Sequence, residues 1–281
     1  MVKIIKYSYT PPPTPPTMPT IIRDWDDTTS PLLAAFDDLT TVAVDIEGVD
    51  LGRDGCISLI QVATPDQCFL FDVLNKDPSD SVVIWLKFLL EDPEITKIIH
   101  DCRMDSDALL HTLDITLTNV HDTSCFHHVI DGVEDASLNT MLKRNNLPVN
   151  VTRDGSVYAN NHEFWKQRPL SPQMIEWAAG DITSLFQVYH FQTSLPSSIQ
   201  TQGQLLSNHF LTFARGAHTA YIQVRNRKRF VGHGGFNVRR IKKSTNTLLY
   251  HRGDRSQNNF MVYYTLDNEL RRVMAQESSH R

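Results

Sequence analysis

The stretch VAVDIEGVDLGRDGCISLIQVAT, Val42–Thr64, governs how the rest of the chain is read. Its opening residues are apolar and strand-forming, yet Asp45 and Glu47 interrupt them. In a strand, residues two apart share a face, so these two carboxylates project together. Side by side they repel unless a positive group stands between them. Two readings follow from these residues alone. One is an edge strand whose polar face meets water; the other is a pair of ligands for a metal ion.

Outward from this stretch, strands are expected over Thr41–Ile46, Cys56–Val62 and Cys68–Asp72. Turns at the glycines near Asp54 and at TPDQ make them an antiparallel meander. A helix is expected over Ser79–Glu91, from apolar Val82, Val83, Leu86, Leu89 and Leu90. Short strands at Lys97–His100 and Thr118–Asp122 alternate with helices, the first of these helices carried by DSDALLHTL. A last helix runs from Pro172 to Tyr189, with Ser-Pro as its start signal. Strands alternating with helices after an antiparallel start give an α/β sheet covered by helices.

Two more acids stand out. Asp105 lies five residues after His100, near a helix start, and Asp181 lies within a helix beside Ala178, Ala179 and Gly180. Small residues there permit another element to approach closely. Acids on an otherwise packed helical face are uncommon unless paired. Asp101 and Asp107 are read as ordinary, the first beside a strand end and the second as a solvated helix residue.

These segments resemble the DEDD superfamily of 3′–5′ exonucleases, in its ribonuclease D and Egalitarian-like branch. The resemblance rests on DIEG followed by GCISLIQVAT, on KIIH with Asp105 five residues on, on WKQRPLS (Trp165–Ser171), and on AAGD ending at Asp181. It implies a ribonuclease H-like mixed sheet with flanking helices. It also implies that Asp45, Glu47, Asp105 and Asp181 are the catalytic acids and hold two divalent ions, Mg²⁺ or Mn²⁺. Hard oxygen donors suit those ions. Two such ions about 4 Å apart activate a water and stabilise the leaving oxygen of a phosphodiester.

The chain departs from the family at one position. The family orients its attacking water with a tyrosine four residues before the last aspartate, or a histidine five before it. Here Trp177 and Glu176 stand at those places. An indole donates one N–H and accepts no proton, so Trp177 holds a water or phosphate oxygen without acting as a base. Glu176 serves as a base only if its pKa is raised, and otherwise faces solvent.

Charge is unevenly divided. The net charge is −5, but His218–Arg281 carries 13 basic and 4 acidic residues, leaving the remainder strongly acidic. Such segregation points to polyanion binding. Within the basic part, KRFVGHGGFNVRRIKKSTNTLLY (Lys228–Tyr250) contains a G-x-x-G loop, Gly232–His233–Gly234–Gly235, ahead of a helix. Val238 and Ile241 take its buried side, and Arg239, Arg240, Lys242 and Lys243 its other sides. With TAYIQVR before it, and TLLY, NFMVYYT and a final helix opened by Asp267 after it, this segment resembles the eukaryotic KH RNA-binding module. That resemblance implies a small α+β domain whose loop clamps the backbone of about four single-stranded nucleotides.

The chain is therefore expected to hold a Pro/Thr-rich solvated arm (1–22), an exonuclease domain (23–195), a Ser/Gln-rich linker (196–215) and a KH-like domain (216–281). The arm also offers an SH3-type ligand pattern for a protein partner, though a plain tail is the expectation. No apolar run is long enough to span a bilayer. The opening residues do not read as a signal peptide, and four cysteines form no C-x-x-C pair, which fits an intracellular, cytoplasmic or nuclear place. The NVT sequon at Asn150 is read as chance. The function expected is 3′–5′ hydrolysis of single-stranded RNA captured by the KH-like module. An RNA-binding adaptor of weak or no activity, and a DNA exonuclease, are the alternatives.

Overall fold

A computed structural model describes residues 18–26, 29–254 and 256–279. Most of the proline-rich arm lies outside the described residues. Its last part is not an arm: Thr20–Ile22 form strand β1. The remaining strands are β2 (Thr41–Val49), β3 (Cys56–Ala63), β4 (Cys68–Asp72), β5 (Thr96–Ile99), β6 (Val120–Asp122), β7 (His218–Gln223), β8 (Leu248–Arg252) and β9 (Asn259–Tyr264). The helices are α1 (Thr29–Leu33), α2 (Ser81–Glu91), α3 (Arg103–Leu113), α4 (Thr123–Asp131), α5 (Leu138–Arg144), α6 (Ser156–Asn160), α7 (Pro172–Thr183), α8 (Leu185–Thr193), α9 (Ser197–Gly216), α10 (Arg227–Val231), α11 (Phe236–Thr245) and α12 (Asp267–Ser279).

The chain divides into two compact units. One runs to Asp154 and resumes over Trp165–Thr212; the other joins Gly155–Phe164 to residues from Phe213 onward. The division differs from the expected boundaries in giving Gly155–Phe164 to the second unit.

The first unit is built on a six-stranded mixed sheet of order β1-β4-β3-β2-β5-β6, flanked by helices. Strands β2, β3 and β4 pair antiparallel as a meander. Strands β1, β5 and β6 add in parallel to β4, β2 and β5 respectively. In β2 the alternation sends Val42, Val44 and Ile46 into a core with Leu86 and Leu90 of α2. Each such fully buried aliphatic side chain stabilises the fold by roughly 1.5–3 kcal/mol. The same alternation leaves Asp45 and Glu47 on the opposite face, where α7 packs across β2, β3 and β4. A bulge follows at Glu47–Gly48.

Three local expectations are corrected. The helix expected over Pro172–Tyr189 is two helices, α7 and α8, meeting at Ser184. The expected linker is the 20-residue helix α9. It lies against the first unit: Leu211 joins the core, Gln204 Nε2 donates to the Val120 carbonyl at 2.9 Å, and Ser106 Oγ donates to the Leu211 carbonyl at 2.7 Å. Asp107, expected to be solvated, is fully buried and ion-paired with Arg53 NH2 at 2.7 Å. The pair is reinforced by the Arg53 amide, which donates to Asp107 Oδ2 at 2.8 Å.

From β7 onward the second unit has the element order β7-α10-α11-β8-β9-α12 around an antiparallel sheet of order β7-β9-β8, and Gly155–Phe164 adds α6 to it. Its core gathers Val224, Phe230, Ile241, Leu249, Phe260, Val262 and Val273. Asn226 caps α10, accepting from the Arg229 amide at 3.0 Å. The start of α12 is held not by Asp267 but by Glu269, whose carboxylate accepts from the Thr265 and Leu266 amides at 2.8 and 3.0 Å. No helix among the described residues is long and apolar enough to cross a membrane.

Candidate active site

Asp45 and Glu47 come from one face of β2, and Asp181 comes from α7, which packs on that face. Each of the three offers a carboxylate oxygen, and those atoms lie within 4.8 Å of one another. Glu47 and Asp181 are buried and Asp45 is half-buried. Asp105, buried on the first turn of α3, is not in that closest set. It nevertheless feels the charges of Asp45 and Glu47.

The electrostatics are those of crowded carboxylates. Burial, then the Asp181 charge, push the Asp45 carboxyl up to about 7, while Arg153 and the Ile46 amide pull the other way. Burial, then Asp45, Asp101, Asp122 and Glu47, hold Asp105 well above the usual carboxylate range. Burial also raises Asp181, against Arg153, Asn150 and Trp177. Carboxyls held above their ordinary range by burial and by one another gain most from a bound cation. The residues present therefore fit divalent metal: converging hard oxygen donors, partly buried, with incomplete charge compensation.

Asp181 is clamped by three donors. Trp177 Nε1 donates to Oδ2 at 3.0 Å, Asn150 Nδ2 donates to Oδ1 at 2.8 Å, and the Arg153 guanidinium pairs with Oδ2. Residues i and i+4 of a helix are stacked neighbours, which is why Trp177 meets Asp181. Gly180 makes the Asn150 contact possible, since a Cβ there would stand 2.7 Å from the Asn150 side chain. Ser171 caps α7 by accepting from the Met174 amide at 3.2 Å, with Pro172 in the first turn. The preceding segment is fixed by Arg168, whose Nε donates to Asp72 Oδ2 at 2.8 Å and whose NH2 donates to Ser58 Oγ at 3.0 Å. Trp165 meets Trp177 edge to face with ring centroids 5.7 Å apart.

Glu176 is exposed on α7 and faces solvent. Trp177 is only 2% exposed and its one donor is committed to Asp181.

Several residues at this site escaped the sequence reading. Asn150, the first residue of the NVT sequon, is buried and also bonds the Trp177 carbonyl at 2.8 Å. Its partner Thr152 donates from Oγ1 to Asn150 Oδ1 at 2.6 Å. That Asx–Thr turn was the only available signal. Arg153 carried none. Asp122 is a buried carboxylate that accepts from the Asp101 and Cys102 amides at 3.0 and 2.9 Å and caps α4 through Ser124. It thereby holds the start of α3, which carries Asp105. Burial opposes its charge, but Ser124 and those two amides hold its pKa below the ordinary carboxylate value. His100 is tied to Thr123 Oγ1 at 3.0 Å and the Ala136 carbonyl at 2.9 Å, which gives it a structural part.

The 3′–5′ exonuclease family matches residues 21–194 of the 281, well over half of the chain. The chain belongs to the 3′–5′ exonuclease family. Among curated relatives of this exonuclease domain, the piRNA biogenesis protein EXD1 of Mus musculus is 28% identical over 159 residues, 52% of this chain and 28% of that protein. The EXD1 of Xenopus laevis is 26% identical over 179 residues, 59% of this chain and 40% of that protein. Ribonuclease D of Gluconacetobacter diazotrophicus is 28% identical over 149 residues, 53% of this chain and 35% of that protein. The chain thus spans less than half the length of these relatives. In fold, the exonuclease domain is similar to Trypanosoma brucei RNase D complexed with RNA U12, at a TM-score of 0.56 and 24% identity, covering 70% of this chain and 71% of that one.

In the second unit, Gly232, Gly234 and Gly235 adopt φ of 74°, 56° and 80°, a region closed to most side chains. The loop they form with His233 leads directly into α11. His233, Gly234, Arg239, Arg240 and Lys243 are exposed, and Gly232, Gly235 and Lys242 are intermediate. Lys242 Nζ lies 5.9 Å from the centroid of the Tyr250 ring. Ile241 is fully buried and Val238 packs against the core.

Proposed function

We propose that the chain shortens single-stranded RNA from its 3′ end by metal-dependent hydrolysis, with the second unit acting as a KH-type RNA-binding module. The convergence of Asp45, Glu47 and Asp181 in an exonuclease-family domain carries this reading. With Asp105 they would hold two divalent ions, Mg²⁺ or Mn²⁺. When bound, such ions supply a water nucleophile at neutral pH and offset charge on the reacting phosphate. The chain's own residues do the rest. Trp177 and Asn150 fix the orientation of Asp181, and Asp122 fixes the helix that presents Asp105. Arg153, half-exposed beside Asp181, places a guanidinium where it can meet a phosphate oxygen.

RNA is favoured by the ribonuclease D relative and by the second unit. The β-α-α-β-β-α order, the glycine loop of positive φ and the basic α11 support a backbone clamp for single strands. The test is incubation of 5′-labelled RNA and matched DNA with Mn²⁺ or Mg²⁺, beside an Asp45→Ala, Glu47→Ala variant. A ladder shortening from the 3′ end, faster on RNA and absent from the variant, is expected.

One observation favours a second reading, an adaptor that holds RNA without turnover. Trp177 spends its sole donor on Asp181, and Glu176 is exposed, so neither residue activates water. RNA that is bound but never shortened would establish that reading.

A further inference from the structure

Gln61 is fully buried in β3, directly opposite Asp45 of β2. Directly opposed residues of an antiparallel pair share a face, with Cβ atoms roughly 4.5–5.5 Å apart. Helix α7 packs across β2 and β3 and brings Asp181 to the face that carries Asp45 and Glu47. Neither the amide nitrogen nor the amide oxygen of Gln61 has a hydrogen-bond partner among the described residues.

Its surroundings sharpen the anomaly. Neighbouring Leu59, Ile60 and Val62 are all fully buried and apolar. Ser58, three residues earlier in β3, is matched: its hydroxyl donates to the Trp165 carbonyl. Asp181, above the same face, has three donors. A buried amide with both ends unmatched is costly, and a methionine or leucine would fill the same space without that cost. The group that stands beside Gln61 by register is a carboxylate, and a carboxylate accepts what an amide N–H donates.

We propose that Gln61 is a positioning residue for Asp45, its amide N–H donating to the carboxylate when that group is ionised and holding a divalent cation. The inference rests on the metal-centre reading above. It assigns to β3 an outer contact to Asp45 beside the one from the Ile46 amide of β2. Ligating carboxylates are commonly held by such outer donors, and losing one costs about 10–100-fold in metal affinity.

The experiment is calorimetric titration of the full chain with Mn²⁺ alone, without nucleic acid, in wild type, Gln61→Met and Asp45→Asn. Gln61→Met is expected to bind Mn²⁺ about 10–100-fold more weakly. Its melting temperature without metal is expected to equal or exceed that of wild type, because an unmatched buried amide has been removed. A purely structural role for Gln61 would instead lower that melting temperature and leave Mn²⁺ affinity alone. If Gln61→Met does not fold, Gln61→Asn, which draws the amide back by one methylene, replaces it with at least a tenfold loss expected. Mn²⁺ affinity within twofold of wild type in the folded variant overturns the inference and leaves the metal centre standing. Wild-type Mn²⁺ binding that is absent, or that Asp45→Asn does not weaken, overturns both.

Discussion

Trp177 and Asp181 sit one helical turn apart on α7, and the indole N–H of the first donates to the carboxylate of the second at 3.0 Å. The pair orients a ligating acid with a residue that has no proton-accepting atom. Trp177→Tyr restores a hydroxyl at the position where the wider family carries tyrosine. It is expected to raise the rate of RNA shortening on the order of 10²-fold. Trp177→Phe should not raise it. Single-turnover assays on labelled RNA read the difference.

Arg153 compensates charge that the acids cannot disperse alone. Arg153→Ala is expected to lower the stability of the metal-free protein by about 1–2 kcal/mol, discounted for the partly exposed guanidinium. The rise in melting temperature on adding Mn²⁺ should then be larger in the variant than in wild type. Thermal unfolding with and without Mn²⁺ measures both.

Gly180 and Asn150 are predicted to be coupled. Gly180→Ala alone drives a methyl against the Asn150 side chain at 2.7 Å. Overpacking of this kind costs roughly 1–3 kcal/mol. Asn150→Ala alone leaves Asp181 and the Trp177 carbonyl each short of a donor. The double variant should be less destabilised than the two losses added together. A double-mutant cycle by urea unfolding tests this.

His121 links stability to pH. It is buried, stacked on Phe126 at 3.9 Å, and bonded to Gln192 Oε1 at 2.8 Å. Burial lowers its pKa from 6.5 to about 4, against Gln192 and Asp122. The unfolded chain therefore binds this proton more readily between those two values. The contribution is present above pH 6.5 and is lost as pH falls toward 4, amounting to roughly 3 kcal/mol. His121→Gln should flatten that part of the stability profile, read by urea unfolding from pH 7 to pH 4.5.

For the second unit, Arg240→Ala should weaken RNA binding without altering unfolding. Each lost phosphate contact is expected to reduce the slope of log affinity against log salt by about 0.7 for a single strand. Filter binding across a salt series checks it.

Much of this molecule is legible in its sequence where hydropathy and charge carry the signal. The Asp45–Glu47 spacing on a strand, the meander around it, and the small residues beside Asp181 follow from side-chain periodicity and size. What escaped is instructive. The buried positions of α9 include Gly203, Ser207, Leu211 and Ala214, a helical stripe marked mostly by smallness, so a Ser/Gln-rich composition hid it. Asp107 looked solvated because its partner Arg53 is 54 residues distant. Asn150 and Arg153 reach Asp181 across 31 and 28 residues, and no local pattern announces such pairings.

The assignment of Gly155–Phe164 to the same unit as the chain from Phe213 onward has a practical bearing. This unit is not a contiguous cassette. A deletion ending the protein before Phe213 would strand ten residues of it, and those ten begin two positions after Arg153. Grafting residues 213–281 onto another protein would carry away an incomplete piece. Dissecting the two units therefore calls for point substitutions within the intact chain, since no single cut separates one unit from the other.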